Sequence, residues 1–144
     1  MVAEDPVYDV AGVRLHPDTN DPQIAFVRRE RMDYLVLDPA VAGDLDRLRR
    51  LDRGDLELAG HDDADRIWLA GFSTDDGPIR YHAYDRESGR STFLFEHQPA
   101  LSRYELAAME PFSFTARDGL VVHGYLTFPA GEDRTCSNWT SSGE

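Results

Sequence analysis

Five histidines, one cysteine and a dense set of aspartates are the residues of this 144-residue chain best suited to chemistry. A serine nucleophile on a strand-to-helix elbow would read Gly-x-Ser-x-Gly, because the flanking glycines let the backbone turn sharply beneath the hydroxyl. The nearest stretch is Gly71-Phe72-Ser73-Thr74-Asp75. It ends on Asp rather than Gly and leads into turn residues, so Ser73 reads as structural. The five histidines show no His-x-x-x-His or His-Glu-x-x-His spacing, and Cys136 stands alone. Neither a cysteine-based zinc site nor an internal disulfide is therefore written in this chain. The run His61-Asp62-Asp63-Ala64-Asp65 brings carboxylates close enough to interest calcium, but it lacks the glycine and the bidentate glutamate of a calcium loop. It reads as a solvated turn between strands, as does Asp75-Asp76. His82 and His123 fall on expected strands without the hydroxyl and carboxylate that a proton relay requires. His123 is expected to pack on Phe114. Trp68, Phe72, Phe93 and Phe95 read as sheet core rather than as a ligand cage. With no glycine-rich phosphate loop either, the expectation is that this chain supplies no catalytic, cofactor-binding or metal-binding residue of its own, and needs no cofactor.

The elements that would position these residues are mainly strands. "QIAFVRRE" (Gln23 to Glu30) and "MDYLVLD" (Met32 to Asp38) mix β-branched, aromatic and aliphatic residues, and "HPDTNDP" (His16 to Pro22) before them is turn chemistry. One helix is expected, capped by Asp38 with Pro39 at its first position. Val41, Leu45, Leu48 and Leu51 recur on one face, and Gly54 is placed to end it. From Asp55 the period becomes that of strands: "DLELAG", "RIWLAGFS", "PIRYHAYD" and "STFLFEH" are separated by "HDDAD", "TDDG" and "RESGR". Four antiparallel strands in about 40 residues is the size of one propeller blade. "HQPALSRYELAAME" then breaks the pattern as a linker, with Ser102 a candidate cap for a helical turn. After it, Arg117 and Leu120 flank an Asp118-Gly119 loop that signals a hairpin. That register sets Phe114 opposite His123 and Phe112 opposite Tyr125.

The formal net charge is −12, carried against 15 basic residues that are all arginine. This balance argues against nucleic acid or an anionic membrane as partner. The start of the chain has neither the basic nor the apolar region of a signal peptide, no run approaches the length of a membrane span, and a single cysteine fits a reducing cytoplasm. The sequon Asn138-Trp139-Thr140 carries little weight without a secretory signal.

Two stretches together point to a family. "DRIWLAGFSTDDGPIRYHAYDRESGRSTFLFE" resembles the last propeller blade of the prolyl oligopeptidase (S9) family of serine peptidases, in its acylaminoacyl-peptidase-like and dipeptidyl-aminopeptidase-like branch. "MEPFSFTARDGLVVHGYLTFPAG" resembles the segment leading from that propeller into the α/β-hydrolase domain, through Ala116 to Gly119, Gly124 to Thr127, Pro129 and Gly131. The resemblance implies a mainly β chain, a partial β-propeller of about two blades with one short helix, followed by a β-hairpin. It implies C-terminal blades over 1–100, a linker over 101–110, the first hairpin of a truncated α/β-hydrolase domain over 111–131, and a disordered or non-native tail over 132–144. In that family the propeller admits short peptides to a Ser-Asp-His triad in the hydrolase domain. A His-Gly-Gly oxyanion segment is expected soon after Gly131, where this chain reads "TCSNWTSSGE". No catalytic residue therefore carries over. The expected partners are the parent's own hydrolase domain and short peptides, with self-association through open blade edges. The alternative is a stand-alone β-rich module that binds a protein or an extended peptide; an independent hydrolase with a cryptic site is a third reading.

Overall fold

The structure, a computed structural model, describes residues 3–29 and 31–128. Pro129, Gly131, Cys136, the sequon at Asn138 and the expected tail over 132–144 lie outside the described residues. Among the described residues three antiparallel sheets follow one another, and none closes on itself. The first contains β1 (Val10–Leu15), β2 (Pro22–Arg28) and β3 (Met32–Val36) in sequential order. The turn between β1 and β2 is closed by the His16 amide on the Asp21 carbonyl at 2.8 Å and the Asn20 amide on the His16 carbonyl at 2.9 Å.

Asp38 caps as expected: its Oδ1 accepts from the Ala40 amide at 2.9 Å, with Pro39 opening a 3-10 turn, Pro39–Val41, that runs into helix α1 (Ala42–Leu48). The helix is shorter than its apolar spacing suggests. After Leu48 the chain tightens into turns, with the Leu51 amide on the Leu48 carbonyl at 3.0 Å. Gly54 therefore does not end the helix. It leads into β4 with φ +101°, where a Cβ would sit 2.3 Å from the Ser73 carbonyl oxygen. A helix of seven residues has little stability of its own and is held by what it packs on.

The second sheet is a four-stranded meander, β4 (Asp55–His61), β5 (Ile67–Ser73), β6 (Arg80–Asp85) and β7 (Arg90–Glu96). Side-chain acceptors shape its turns. Asp62 Oδ1 takes the Arg66 and Ile67 amides at 2.6 and 2.9 Å, and Asp85 Oδ1 takes the Glu87 and Ser88 amides at 2.9 and 3.2 Å. One apolar core joins both sheets and the helix: Ile24 from β2, Val41, Leu45 and Leu48 around α1, and Leu56, Trp68, Ala70, Phe72 and Tyr84 from the meander. Trp68 and Phe72 are fully buried, as the sequence suggests, but Phe93 and Phe95 lie on the outermost strand and are each 52% exposed. The residues that cover the sheet pack on β4, β5 and β6, and Phe93 and Phe95 project from opposite faces of β7 beyond them, so these two phenylalanines do not join the core.

A charged cluster runs through this core. Asp65 is 5% exposed, and so is not the solvated turn residue its acidic neighbours suggest. Its Oδ1 accepts from Arg14 Nη2 at 2.6 Å and Trp68 Nε1 at 2.7 Å, and its Oδ2 pairs with Arg86 Nη1 at 2.5 Å. Arg86 Nε reaches Asp44 Oδ2 of α1 at 2.9 Å, and Tyr84 donates its hydroxyl to Asp44 Oδ1 at 2.8 Å. Arg14 Nε also donates to Gln23 Oε1 at 3.3 Å. Both guanidinium groups lie 4.5 Å from the centroid of the Trp68 ring. Burial draws the Arg14 pKa down from its ordinary value while Asp65 opposes that shift. Tyr34 adds a further tie, donating its hydroxyl to the Leu56 carbonyl; burial pushes that phenol well above its ordinary pKa.

Beyond the meander, Gln98 takes a left-handed φ of 58° and a 3-10 turn spans Pro99–Arg103. Ser102 lies inside that turn rather than capping it, and donates its hydroxyl to Glu96 Oε2 at 3.0 Å. The hairpin forms from β8 (Met109–Thr115) and β9 (Val121–Thr127), one residue out of the expected register. Ser113 pairs with His123, Phe114 with Val122, Phe112 with Gly124 and Pro111 with Tyr125. The cause is the loop. The Gly119 amide bonds the Ala116 carbonyl at 3.0 Å and the Ala116 amide bonds the Leu120 carbonyl at 2.8 Å, with Gly119 at φ +86°. That is a three-residue loop with its glycine in the left-handed position, not the two-residue Asp-Gly turn. His123 therefore does not pair with Phe114, and the two stand on opposite faces of the hairpin.

Three outcomes are expected. Asp65→Asn keeps the shape but leaves Arg14 without its buried carboxylate partner and Arg86 with Asp44 alone, and should cost about 3–5 kcal/mol in urea unfolding. Gly119→Ala strains the loop and should lower amide-exchange protection across the Phe114–Val122 pair, leaving the meander unchanged. The amide of Ile67, with that of Arg66, holds Asp62 below the ordinary carboxylate value of 3.8, and the amide of Ser88 leads the same effect on Asp85. Lowered carboxylates bind fewer protons folded than unfolded, so their contribution is full above that value and lost below it. The thermal midpoint should fall as pH drops below about 4 and change little between about 5 and 7.

Candidate functional site

Ser73 is the last residue of β5 and pairs with Asp55 of β4. A turn follows it, so no helix N-terminus lies behind it to supply oxyanion donors. His82 has a carboxylate partner that the sequence did not reveal: its Nε2 lies 3.2 Å from Asp52 Oδ2. Its ring meets Phe72 and Phe93 edge-on, each with centroids 5.5 Å away. Arg80 Nη2 sits 2.6 Å from the other Asp52 oxygen, close enough for an ion pair but off the hydrogen-bond direction. An imidazole oriented by a carboxylate is two-thirds of a proton relay, yet phenyl rings flank it here. The trio ties the loop after α1 to β6.

The remaining candidates disperse. His61 Nδ1 contacts the Asp62 carbonyl at 2.9 Å, and His16 Nδ1 accepts from the Asp18 amide at 3.2 Å. His123 borders a shallow cavity of about 370 Å³ shared with Tyr8, Arg29 and Ser113. Asp75 Oδ2 accepts from the Met109 amide at 2.5 Å, and Asp76 Oδ2 pairs with Arg53 at 2.7 Å, so this acidic pair fastens the start of the hairpin and the loop after α1. Among the described residues no three of His, Cys, Asp and Glu gather as metal ligands would. Nor is any helix there long and apolar enough to cross a membrane.

A larger cavity, about 530 Å³, opens between the two main sheets and the hairpin, with Phe26, Arg28, Arg31, Glu57, Ser73 and Tyr125 among its walls. Its size is within the range of small-molecule sites. Charge of both signs lines it: Arg31, Arg28 and Arg29 against Asp55 and Glu57, with Arg31 3.8 Å from Asp55 and 3.9 Å from Asp75 beyond the cavity wall. The cavity has room for a polar or zwitterionic group, but among the described residues no nucleophile, base and carboxylate converge in it. Of the features missed in sequence, Asp44 had a signal. It shares the helical face of Val41, Leu45 and Leu48, so an aspartate stood where the spacing called for an apolar residue. Asp52 and Asp65 had none, since Asp52 meets His82 across 30 residues and the two arginines that pair with Asp65 lie 51 and 21 residues away.

Comparison with known proteins adds what the geometry lacks. Dipeptidyl aminopeptidase BIII of Pseudoxanthomonas mexicana is 32% identical over 133 residues, 92% of this chain and 19% of that protein. Dipeptidyl peptidase family member 6 of Caenorhabditis elegans is 31% identical over 62 residues, 43% of this chain and 8% of that protein. The chain thus spans less than a fifth of the length of either relative. No family profile and no solved structure matches it. A mainly β chain with a four-stranded meander, aligned over 133 of its 144 residues, is a relative of the dipeptidyl-peptidase members of the prolyl oligopeptidase (S9) family.

Proposed function

We propose that this chain is a non-catalytic part of a prolyl oligopeptidase-family serine peptidase, in which residues 1–100 are propeller blades that gate the access of short peptides. Residues 101–110 act as the linker and the hairpin within 111–131 opens the α/β-hydrolase domain. The observation that carries this reading is the alignment with dipeptidyl aminopeptidase BIII across both the meander and the hairpin. The packing supports it. The meander is fixed to the preceding sheet by buried charges, which suits a wall that must keep its shape, whereas none of the hairpin's residues is buried. A two-stranded hairpin alone is marginal in water, so its faces call for a covering domain. In this reading acyl transfer is done by serine, aspartate and histidine of the parent's hydrolase domain. The blades exclude folded proteins by size, the parent works in the cytoplasm, and the open strand edges are where copies of this chain meet.

A fluorophosphonate probe tests the assignment. Incubated with the 144-residue protein, it is expected to leave every serine unlabelled, Ser73 included. Stoichiometric labelling at any serine would overturn the proposal.

A further inference from the structure

Two opposite charges at the cavity of about 530 Å³ are left over when its other charges have been matched. Arg28 comes from the end of β2. It shares a strand face with Phe26 and pairs with Met32 of β3, and all three border the cavity. Glu57 comes from β4. It shares a strand face with Asp55, whose cross-strand partner is Ser73, and these three border it too. The remaining charges have partners. Arg29 bonds Asp5 at 2.7 Å, and Arg31 stands between Asp55 at 3.8 Å and Asp75 at 3.9 Å. Among the described residues Arg28 and Glu57 have neither a hydrogen bond nor an ion pair, and they do not reach one another. A cation and an anion delivered by different sheets thus border one space without closing it.

The backbone adds a second feature. β4 is the outer strand of the meander and is hydrogen-bonded to β5 alone. Its residues 55–58 border the cavity, and the Leu56 carbonyl already accepts a donor from the first sheet, the Tyr34 hydroxyl. Main-chain groups on the free side of an edge strand can bond a peptide group laid beside them. We propose that this cavity binds a short peptide with free termini, two or three residues long, its carboxylate on Arg28 and its ammonium group on Glu57. The peptide group lies along the free side of β4. The charges select this class of ligand. A nucleotide or phosphate would bring negative charge against Asp55 and Glu57, and a polyamine would meet three arginines. A zwitterion meets an opposite charge at each end. An extended dipeptide spans about 7 Å, so it can bridge two groups that do not pair directly. Both side chains are exposed and must give up water, so the affinity is weak. The choice of a peptide over other zwitterions rests on the gating reading above, whereas the charge pattern does not depend on it.

Amide resonances of the 144-residue protein, followed by NMR as dialanine is added near neutral pH, test the site. Resonances of residues 55–58 should shift, with a Kd of about 1 mM. N-acetyl-dialanine and dialanine amide should each bind about tenfold more weakly, because each lacks one charge-assisted contact. Arg28→Gln should weaken dialanine about tenfold and abolish the further penalty of amidation; Glu57→Gln should do the same for acetylation. No shift at these residues up to about 50 mM dialanine would overturn the proposal. So would blocked peptides that bind as tightly as dialanine, or variants in which blocking still costs about tenfold. If a variant does not fold, the two blocked peptides still test the unaltered protein. Fluorophosphonate labelling reports separately on the peptidase reading, so an unlabelled protein that ignores dialanine refutes only this site.

Discussion

Asp65 accepts from three donors that come from three different places in the chain: Arg14 on β1, Trp68 on β5 and Arg86 just beyond β6. A carboxylate only 5% exposed is costly to bury. Two guanidinium groups and an indole N–H replace the water it lost, and the same guanidinium groups lie against the tryptophan ring. The arrangement also constrains register. Sliding β1 by one residue would turn Arg14 to the other face of its sheet and strand Asp65. Through Arg86 and Tyr84 the constraint extends to Asp44 on α1, so sheet, helix and meander take positions that satisfy all of these charges together. The backbone of Asp65 is itself left-handed, at φ 51°, a conformation that aspartate tolerates better than most residues.

This interior explains why the polar groups of the chain do not form a reaction centre. His82 and Asp52 lie close, but their neighbours are phenyl rings and Arg80. Asp44 and Asp65 are committed to arginines, and Asp62 and Asp85 to backbone amides. Charge is used for positioning, which is consistent with a wall or a gate in a larger peptidase. The proposed gating role requires rigidity, and the buried network supplies it at the junction of two sheets.

The hairpin is governed by different forces. Its strands pair with each other, and its tie to the meander includes one backbone amide, that of Met109 on Asp75. Phe112 and Phe114 stack with ring centroids 6.2 Å apart, yet Phe114 remains 52% exposed. The glycine in its loop decides which side chains share a face. A three-residue loop moves His123 away from the two phenylalanines, and that loop is closed by the Gly119 amide on the Ala116 carbonyl and the Ala116 amide on the Leu120 carbonyl.

Local chemistry was legible in the sequence wherever near neighbours decide the outcome. The four strands of the meander, the turns at Asp62 and Asp85, the Asp38 cap and the helical face of Val41, Leu45 and Leu48 all depend on residues a few positions apart, and each formed as read. The family resemblance was legible too, because "ARDG" and "GYLT" are contiguous. Only the tertiary structure decided the rest. Asp65 meets Arg14 across 51 residues, Asp44 meets Arg86 across 42 and Asp52 meets His82 across 30; Asp44 is marked locally by its place on the apolar helical face, but its partner is not, and nothing local distinguishes Asp52 and Asp65 from their solvated neighbours. Whether a carboxylate is hydrated or buried depends on which distant cation the fold delivers to it, and that is a property of packing rather than of spacing along the chain.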